Sequence, residues 1–203
     1  RSPETDQIII NVRNGTLVIE DDQVTLKPFD LTDGLTYQLP FEYDPAAECT
    51  EFQKFLDEVL PEKESQMILS EFLGSIFLDN KKVKHEKALL LYGTGSNGKS
   101  VVHEIVQNLL GDQNCSNFSL ESITDSSGYT RAKLDGKLLN YASEISGDVN
   151  SGKFKQLVSG EPIEVRLPYK EPFTLRAIPK LMFNINSFPK NSEKTPAFYR
   201  RLM

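Results

Sequence analysis

The sequence predicts an α/β protein in which a largely parallel sheet carries a phosphate-binding loop and follows a small α+β module. Three observations lead to this fold class. From residue 87 onward, short apolar runs alternate with segments of helical periodicity. The motif GxxxxGK[ST] stands between the first of those runs and the first helix. Before residue 87, three β-rich runs precede two helical segments. We therefore place one domain over residues 1–86 and a second over 87–203.

The N-terminal module is predicted to contain a hairpin, a third strand and two helices. Asn14-Gly15 between the first two β-rich runs is a hairpin turn signal. Two later segments have apolar side chains at helical spacing, and Pro61 separates them. The run 37–43 favours a short edge strand. The predicted strands are 8–12, 16–20 and 24–28, and the predicted helices are 49–60 and 62–78.

The second domain is predicted to contain three main strands, at 88–92, 138–142 and 180–185, with a helix at 99–110 between the first two. Two shorter runs, at 163–167 and 173–175, flank a turn that contains two prolines. Such a pattern is typical of a projecting hairpin.

The loop that follows the first of these strands has the composition of a nucleotide-phosphate site. Its glycines allow successive backbone N–H groups to form a concave anion nest. Lys99 adds a point charge for the β- and γ-phosphates of ATP, and the Ser100 hydroxyl reaches Mg²⁺. The alternative is a glycine-rich turn that holds no ligand. The predicted nucleotide-binding residues are Gly93, Thr94, Gly95, Ser96, Asn97, Gly98, Lys99, Ser100 and Val101.

A polar side chain follows the end of each of the other two main strands. An ATPase needs an acidic residue there to help hold Mg²⁺ or to polarise the attacking water, and Glu144 follows the strand at 138–142. Asn186 follows the strand at 180–185 and is predicted to orient water or the γ-phosphate. An ordinary surface carboxylate and an ordinary turn asparagine are the alternatives, so the order of the three motifs carries the functional interpretation.

Charge is distributed unevenly along the chain. The formal net charge is −6, yet residues 129–203 contain thirteen basic and seven acidic side chains, a local charge of +6. Binding to a phosphate backbone depends on the local charge of a surface patch rather than on the net charge of the whole chain. The last third is therefore compatible with binding single-stranded DNA, although a solvated basic face explains the same count.

Composition predicts a cytoplasmic protein without a membrane partner. The chain is 38% hydrophobic, and no apolar run approaches the roughly 20 residues that cross a bilayer. Cys49 and Cys115 lack CxxC spacing, which argues against a disulfide framework or a zinc site. Because the chain stops at Met203 without a cap or turn, we expect further sequence to follow it in a parent protein.

Taken together, these motifs resemble superfamily 3 helicases, in particular the ATPase part of phage and plasmid primase/helicase proteins. The similarity extends over nearly the whole chain: Gly93 to Ser100 matches the family's Walker A motif, and Leu138 to Glu144 matches its Walker B motif. The segment from Leu157 to Lys170 is similar to its DNA-contacting hairpin. Viral relatives often have two acidic residues at the end of Walker B, whereas Ser143 precedes Glu144 here.

The resemblance implies an AAA+-like P-loop NTPase fold and self-association into a ring, expected to be a hexamer, around DNA. It also implies an arginine finger that acts on the neighbouring subunit's nucleotide, for which Arg201 is the preferred residue of the pair Arg200-Arg201. Replication proteins are the expected partners.

The predicted DNA contacts are Tyr169 and Lys170 at the hairpin tip, with Lys153 and Lys155 on the preceding helix along the same channel. Solvated lysines are the alternative for all three cations. The function predicted from the sequence is thus an ATP-driven, DNA-dependent helicase motor. Two other functions remain open, namely a nucleotide-gated replication assembly module and a P-loop phosphotransferase.

Overall fold

The computed structural model describes residues 7–21, 23–78, 85–95, 97–143, 145, 149–187 and 196–203. Its first three strands are β1 (Ile8–Val12), β2 (Gly15–Glu20) and β3 (Gln23–Lys27). They pair in chain order as an antiparallel sheet. The three β-rich runs of the N-terminal module therefore form the predicted strands, each within one residue of its predicted bounds.

The turn between β1 and β2 lies one residue earlier than predicted. Val12 pairs with Gly15, so Arg13 and Asn14 form the two-residue loop and Gly15 begins β2. A Cβ atom on Gly15 would come within 2.5 Å of the Lys27 carbonyl oxygen on β3. The close approach of β3 explains why glycine is needed at this position.

The edge strand predicted at 37–43 does not form. The Leu39 N–H donates to the Asn11 carbonyl, and the Arg13 N–H donates to the Phe41 carbonyl. The proline between the two paired residues of this segment has no backbone N–H, and no regular ladder develops. The segment therefore runs beside β1 as irregular chain held by these backbone hydrogen bonds.

Two helices follow, and each is shorter than predicted. They are α1 (Thr50–Val59) and α2 (Lys63–Ser75). Pro61 lies in the connection between them. Asp57 on α1 accepts hydrogen bonds from the side chains of Gln53, Lys63 and Gln66. One carboxylate thus ties α1 to the start of α2.

The remaining strands confirm the main prediction for the second half of the chain. They are β4 (Leu89–Tyr92), β5 (Cys115–Ser116), β6 (Leu139–Ala142), β7 (Ile163–Val165), β8 (Phe173–Leu175) and β9 (Lys180–Ile185). A parallel sheet forms with the order β4-β9-β6-β5, and β7 and β8 form the predicted antiparallel hairpin. The edge strand β5 was not predicted, because two residues give no periodic signal.

The order of the parallel strands gathers three loops at one edge. β9 lies between β4 and β6. The carboxyl ends of these strands therefore meet at the same edge of the sheet, where open α/β folds bind ligands. β4 leads into the phosphate loop, β6 leads to Ser143, and β9 leads to Asn186.

Helices lie on both faces of the parallel sheet. They are α3 (Lys99–Leu110), α4 (Leu120–Thr124), α5 (Tyr129–Ala132), α6 (Ser151–Val158) and α7 (Pro196–Tyr199). The side chains of β9 alternate between two hydrophobic clusters, with Met182 in one and Phe183 in the other. α3 contributes to the first cluster, and α4 to α7 contribute to the second. Within the described ranges, none of the helices is long and apolar enough to traverse a bilayer.

The N-terminal module shares a hydrophobic cluster with the parallel sheet. Leu56 of α1 and Phe72 of α2 belong to the same cluster as Val106 of α3 and Met182 of β9. All four side chains are at most 4% exposed. The module is therefore packed against α3, the helix that follows the phosphate loop, and the boundary at residue 86 stays a prediction.

Candidate functional site

The phosphate loop has a backbone shape that its glycines make possible. Gly95 and Gly98 have φ angles of 74° and 79°, in the left-handed region that favours glycine. A Cβ atom on Gly93 would stand 1.6 Å from the Asn97 side-chain nitrogen. Gly98 directly precedes α3, so the loop ends at a helix N-terminus, where backbone N–H groups lack helical partners.

Lys99 begins α3 and folds its side chain back over the loop. Its Nζ donates to the Gly93 carbonyl oxygen at 2.5 Å and to Asn97 Oδ1 at 2.8 Å. Both acceptors are neutral groups of the loop itself. Neither acceptor neutralises the charge of the Lys99 ammonium. Because charge-assisted hydrogen bonds are stronger than neutral ones, a bound anion is a better acceptor for this ammonium than either group.

A cavity of about 450 Å³ opens beside the loop. Most of its lining residues were predicted as site residues. It is lined by Gly95, Asn97, Gly98, Lys99, Ser100, Val101, Ser143, Asn184 and Asn186. The structure thus brings the end of the loop, the end of β6 and the end of β9 together. Gly93 and Thr94 lie outside this lining, and Ser96 and Glu144 lie outside the described residues.

The groups around the cavity fit a nucleoside polyphosphate. A helix N-terminus, one ammonium and the Ser100 hydroxyl are the donor types that bind phosphates in proteins. In the described part of the chain, no group of three or more His, Cys, Asp and Glu side chains is arranged to hold a metal ion. Mg²⁺ commonly binds through one or two protein oxygens plus phosphates and water. The Ser100 hydroxyl fits that role, and Glu144 stays a predicted ligand.

The N-terminal module contacts the loop directly. A Cβ atom on Gly98 would lie 2.8 Å from Val59 Cγ1 and 3.1 Å from Phe55 Cζ, both on α1. Both belong to the apolar side chains at helical spacing that predict this helix from the sequence. They also cover the last glycine of the phosphate loop, so α1 limits the space that this loop has.

Sequence reasoning missed two buried residues beside the cavity. Asn184 of β9 is 4% exposed, and Tyr141 of β6 is 1% exposed. The Tyr141 hydroxyl donates to Asn184 Oδ1 at 2.8 Å. Burial raises the pKa of Tyr141, so its hydroxyl keeps its proton. The period of two along a strand gives a signal for Asn184, because Asn184 and Asn186 lie on the same face.

Arg201 lies away from the cavity of its own chain. Its side chain is 12% exposed, and Nη2 is 4.0 Å from Glu86 Oε2. It lines a separate space of about 260 Å³ together with His85, Lys87 and Arg200. The predicted action of Arg201 on a neighbouring subunit stays a prediction.

The hairpin presents its predicted DNA contacts at the tip. Tyr169 is fully exposed, and its φ angle of 60° is unusual for a residue with a side chain. The Lys170 N–H donates to the Leu167 carbonyl and closes the turn. Lys170 is exposed as well. The tip thus holds an aromatic ring and an ammonium in solvent, the two group types that bind single strands.

The two lysines of α6 are less accessible. Lys153 Nζ donates to the Asp125 backbone carbonyl at 2.7 Å, so it caps the end of α4. Burial, together with the nearby Arg131 charge, lowers the pKa of Lys153. Lys155 is half-buried. The structure therefore gives Lys153 an intramolecular contact, and the DNA contact proposed for both lysines stays a prediction.

Known proteins resemble this chain in sequence and in fold. "Putative helicase L207/L206" of Acanthamoeba polyphaga mimivirus is 24% identical over 161 residues, which is 73% of this chain and 16% of that protein. "The A form apo structure of NrS-1 C terminal region-CTR" has a TM-score of 0.60 and 14% identity, and the match covers 96% of this chain and 56% of the other. "The apo structure of NrS-1 C terminal region (305-718)" has a TM-score of 0.55, with 12% identity over 88% and 54%.

These likenesses differ in what they establish. At such identities the NrS-1 structures show the fold, a mixed α/β architecture with a parallel sheet. The chain spans about half of the solved regions and a small part of the mimiviral protein. Two family models also match. Residues 1–61 match "D5 N terminal like", and residues 91–201 match "Family of unknown function (DUF5906)". Since the second match spans more than half of the sequence, the chain belongs to the DUF5906 family.

Proposed function

We propose that this chain is the ATPase motor of a replication protein of helicase or primase type, which hydrolyses ATP to move along single-stranded DNA. One observation carries the proposal. The phosphate loop, the end of β6 and the end of β9 line one cavity whose donor groups suit a polyphosphate. The name of the mimiviral relative and the D5 N terminal like match support the replication context. An AAA+-like P-loop NTPase fold is part of the same proposal.

The loop and α3 bind the phosphates in this account. Lys99 leaves the Gly93 carbonyl and Asn97, and its ammonium moves to the β- and γ-phosphates. The Ser100 hydroxyl and Glu144 would hold Mg²⁺, which when bound would neutralise charge on the phosphate oxygens. Glu144 also polarises the attacking water, and Asn186 orients that water or the γ-phosphate.

DNA and neighbouring subunits complete the proposed motor. Tyr169 stacks on a base and Lys170 contacts a backbone phosphate, so that movement of the hairpin shifts the strand. Lys153 and Lys155 follow the same channel. Arg201 reaches the nucleotide of the next subunit in a hexameric ring and stabilises charge in the transition state. Release of its Glu86 contact is then a step of assembly.

Nucleotide affinity tests the binding half of the proposal. Lys99→Ala should weaken binding of a fluorescent ATP analogue about tenfold or more, because charge-assisted hydrogen bonds contribute about 1.5–3 kcal/mol. Lys133→Ala removes an exposed lysine elsewhere and should bind like the wild type. Glu144→Gln should bind ATP and fail to hydrolyse it. Equal affinity of Lys99→Ala and wild type would remove the loop from nucleotide binding.

A further inference from the structure

A hydrogen-bonded network centred on Tyr141 connects α3 to strands β6 and β9. The Tyr141 hydroxyl donates to Asn184 Oδ1. Its backbone carbonyl oxygen accepts a hydrogen bond from Asn117 at 2.8 Å and lies 3.1 Å from His103 Nε2 on α3. The Tyr141 and His103 rings meet edge-on with centroids 4.5 Å apart. One residue of β6 therefore contacts both its neighbouring strand and the helix that follows the phosphate loop.

The hydroxyl of Tyr141 also fixes which way the Asn184 amide points. Because Asn184 Oδ1 accepts the hydrogen bond from the Tyr141 hydroxyl, the amide nitrogen of Asn184 is directed to the Lys99 carbonyl oxygen, at 3.4 Å. Lys99 stands in the first turn of α3, and Asn184 lines the cavity. The chain of contacts runs from β6 through β9 to the backbone of Lys99. It therefore ends on the residue whose side chain is proposed to bind the phosphates.

Relative placement of α3 and β6 matters for turnover. The first turn of α3 supplies Lys99 and Ser100, whereas β6 leads through Ser143 to Glu144. Groups on separate elements act on one phosphate only when their spacing is held to a fraction of an ångström. Tyr141 and Asn184 are both buried, and a buried hydrogen bond between two strands is suited to hold such spacing.

We propose that Tyr141 and Asn184 are positioning residues that keep the first turn of α3 in register with the end of β6. The inference rests on the proposed ATPase function and deepens it. Neither side chain needs to touch the reacting atoms. The loop and the first turn of α3 are one continuous segment and move together, so a loss of register with β6 lowers kcat more than it changes KM.

Two variants separate this role from simple packing. Tyr141→Phe removes the hydroxyl and keeps the ring, and Asn184→Asp keeps an acceptor for Tyr141 while removing the donor to Lys99. Tyr141→Phe should lower kcat about tenfold with KM within about twofold of wild type, since one buried hydrogen bond and its alignment are lost. Asn184→Asp places a carboxylate in the lining of the phosphate cavity, so it serves only in the measurement without nucleotide. Asn140→Asp is the matched control, because Asn140 is a buried β6 asparagine whose contacts are with Ser116 and Phe118.

Hydrogen exchange of the backbone amides in the first turns of α3, without nucleotide, makes the test independent of catalysis. Tyr141→Phe and Asn184→Asp should speed this exchange. Asn140→Asp should not, even if it lowers the melting temperature as much as the other two variants do. Unchanged exchange in Tyr141→Phe, or a rise in KM at constant kcat, would overturn the positioning role. A wild-type protein that binds no ATP while exchange still responds would instead refute the proposed function and leave the network intact.

Discussion

Gly98 connects the phosphate loop with the N-terminal module at the level of a single residue. Its φ angle of 79° favours glycine, and the space that a side chain would need is taken by Val59 of α1. Gly136 has a similar φ angle of 72°, but nothing lies within 4 Å of the position of a Cβ atom there. Comparing the same substitution at the two glycines therefore distinguishes the cost of backbone strain from the cost of crowding at the loop.

We expect Gly98→Ala to destabilise the protein more than Gly136→Ala and to weaken nucleotide binding. Gly136→Ala adds only left-handed strain, about 1–2 kcal/mol of unfolding free energy. Gly98→Ala adds the same strain and must also push Val59 of α1 aside. Denaturant unfolding measures the first effect, and titration with an ATP analogue measures the second. Equal effects of the two substitutions on both measurements would contradict the contact between α1 and the loop.

Two asparagines, Asn184 in β9 and Asn186 directly after it, show where sequence reasoning stopped at the residue scale. Asn186 was predicted because it follows an apolar strand, and it lines the cavity. Asn184 lies inside the strand, where the period of two indicates which face it is on but not which residue it pairs with. That partner, Tyr141, is 43 residues away in sequence. The identity of a buried polar residue is visible in a sequence, but its pairing is not.

At the scale of elements, one carboxylate joins α1 and α2. Asp57 accepts hydrogen bonds from Lys63, Gln66 and Gln53, and these lower its pKa to about 2 from an ordinary 3.8. A depressed folded-state pKa contributes stability that is present above the unfolded-state pKa. That contribution is lost as the pH falls through the folded-state pKa.

The acid stability of the helix pair should therefore depend on Asp57. The wild type should melt higher than Asp57→Asn by a constant margin near neutral pH. The margin should shrink between about pH 4 and pH 2, the interval between the two pKa values. Glu58→Gln changes an exposed neighbour and serves as the control. Thermal unfolding followed across this pH range measures the margin, and a margin independent of pH would contradict the assignment.

The β7–β8 hairpin is the element that we propose contacts DNA. Lys170→Ala should lower the slope of log affinity against log salt by about one for single-stranded DNA, because one phosphate contact is lost. Basal ATP turnover should not change. Lys54→Ala removes a lysine that pairs with Glu51 on α1 and should leave the slope as it is. Equal slopes for Lys170→Ala and the wild type would exclude the hairpin tip as a phosphate contact.

For the whole molecule, the order of elements was predictable because long-period patterns and one motif define it. The phosphate loop, three strands of the parallel sheet and the hairpin follow from apolar spacing and turn residues. The two-residue strand β5 and the order β4-β9-β6-β5 do not, since local patterns do not specify which strands pair. The contact between α1 and Gly98 was hidden for the same reason, because it joins two predicted domains.

Hydrolysis of ATP by the protein, with and without single-stranded DNA, is the decisive measurement for the proposed motor. Lys99→Ala provides the blank. We expect turnover that single-stranded DNA stimulates and that disappears in Lys99→Ala. Turnover indifferent to DNA would contradict a DNA-driven motor and favour a phosphotransferase, and nucleotide-dependent assembly without turnover would favour an assembly module.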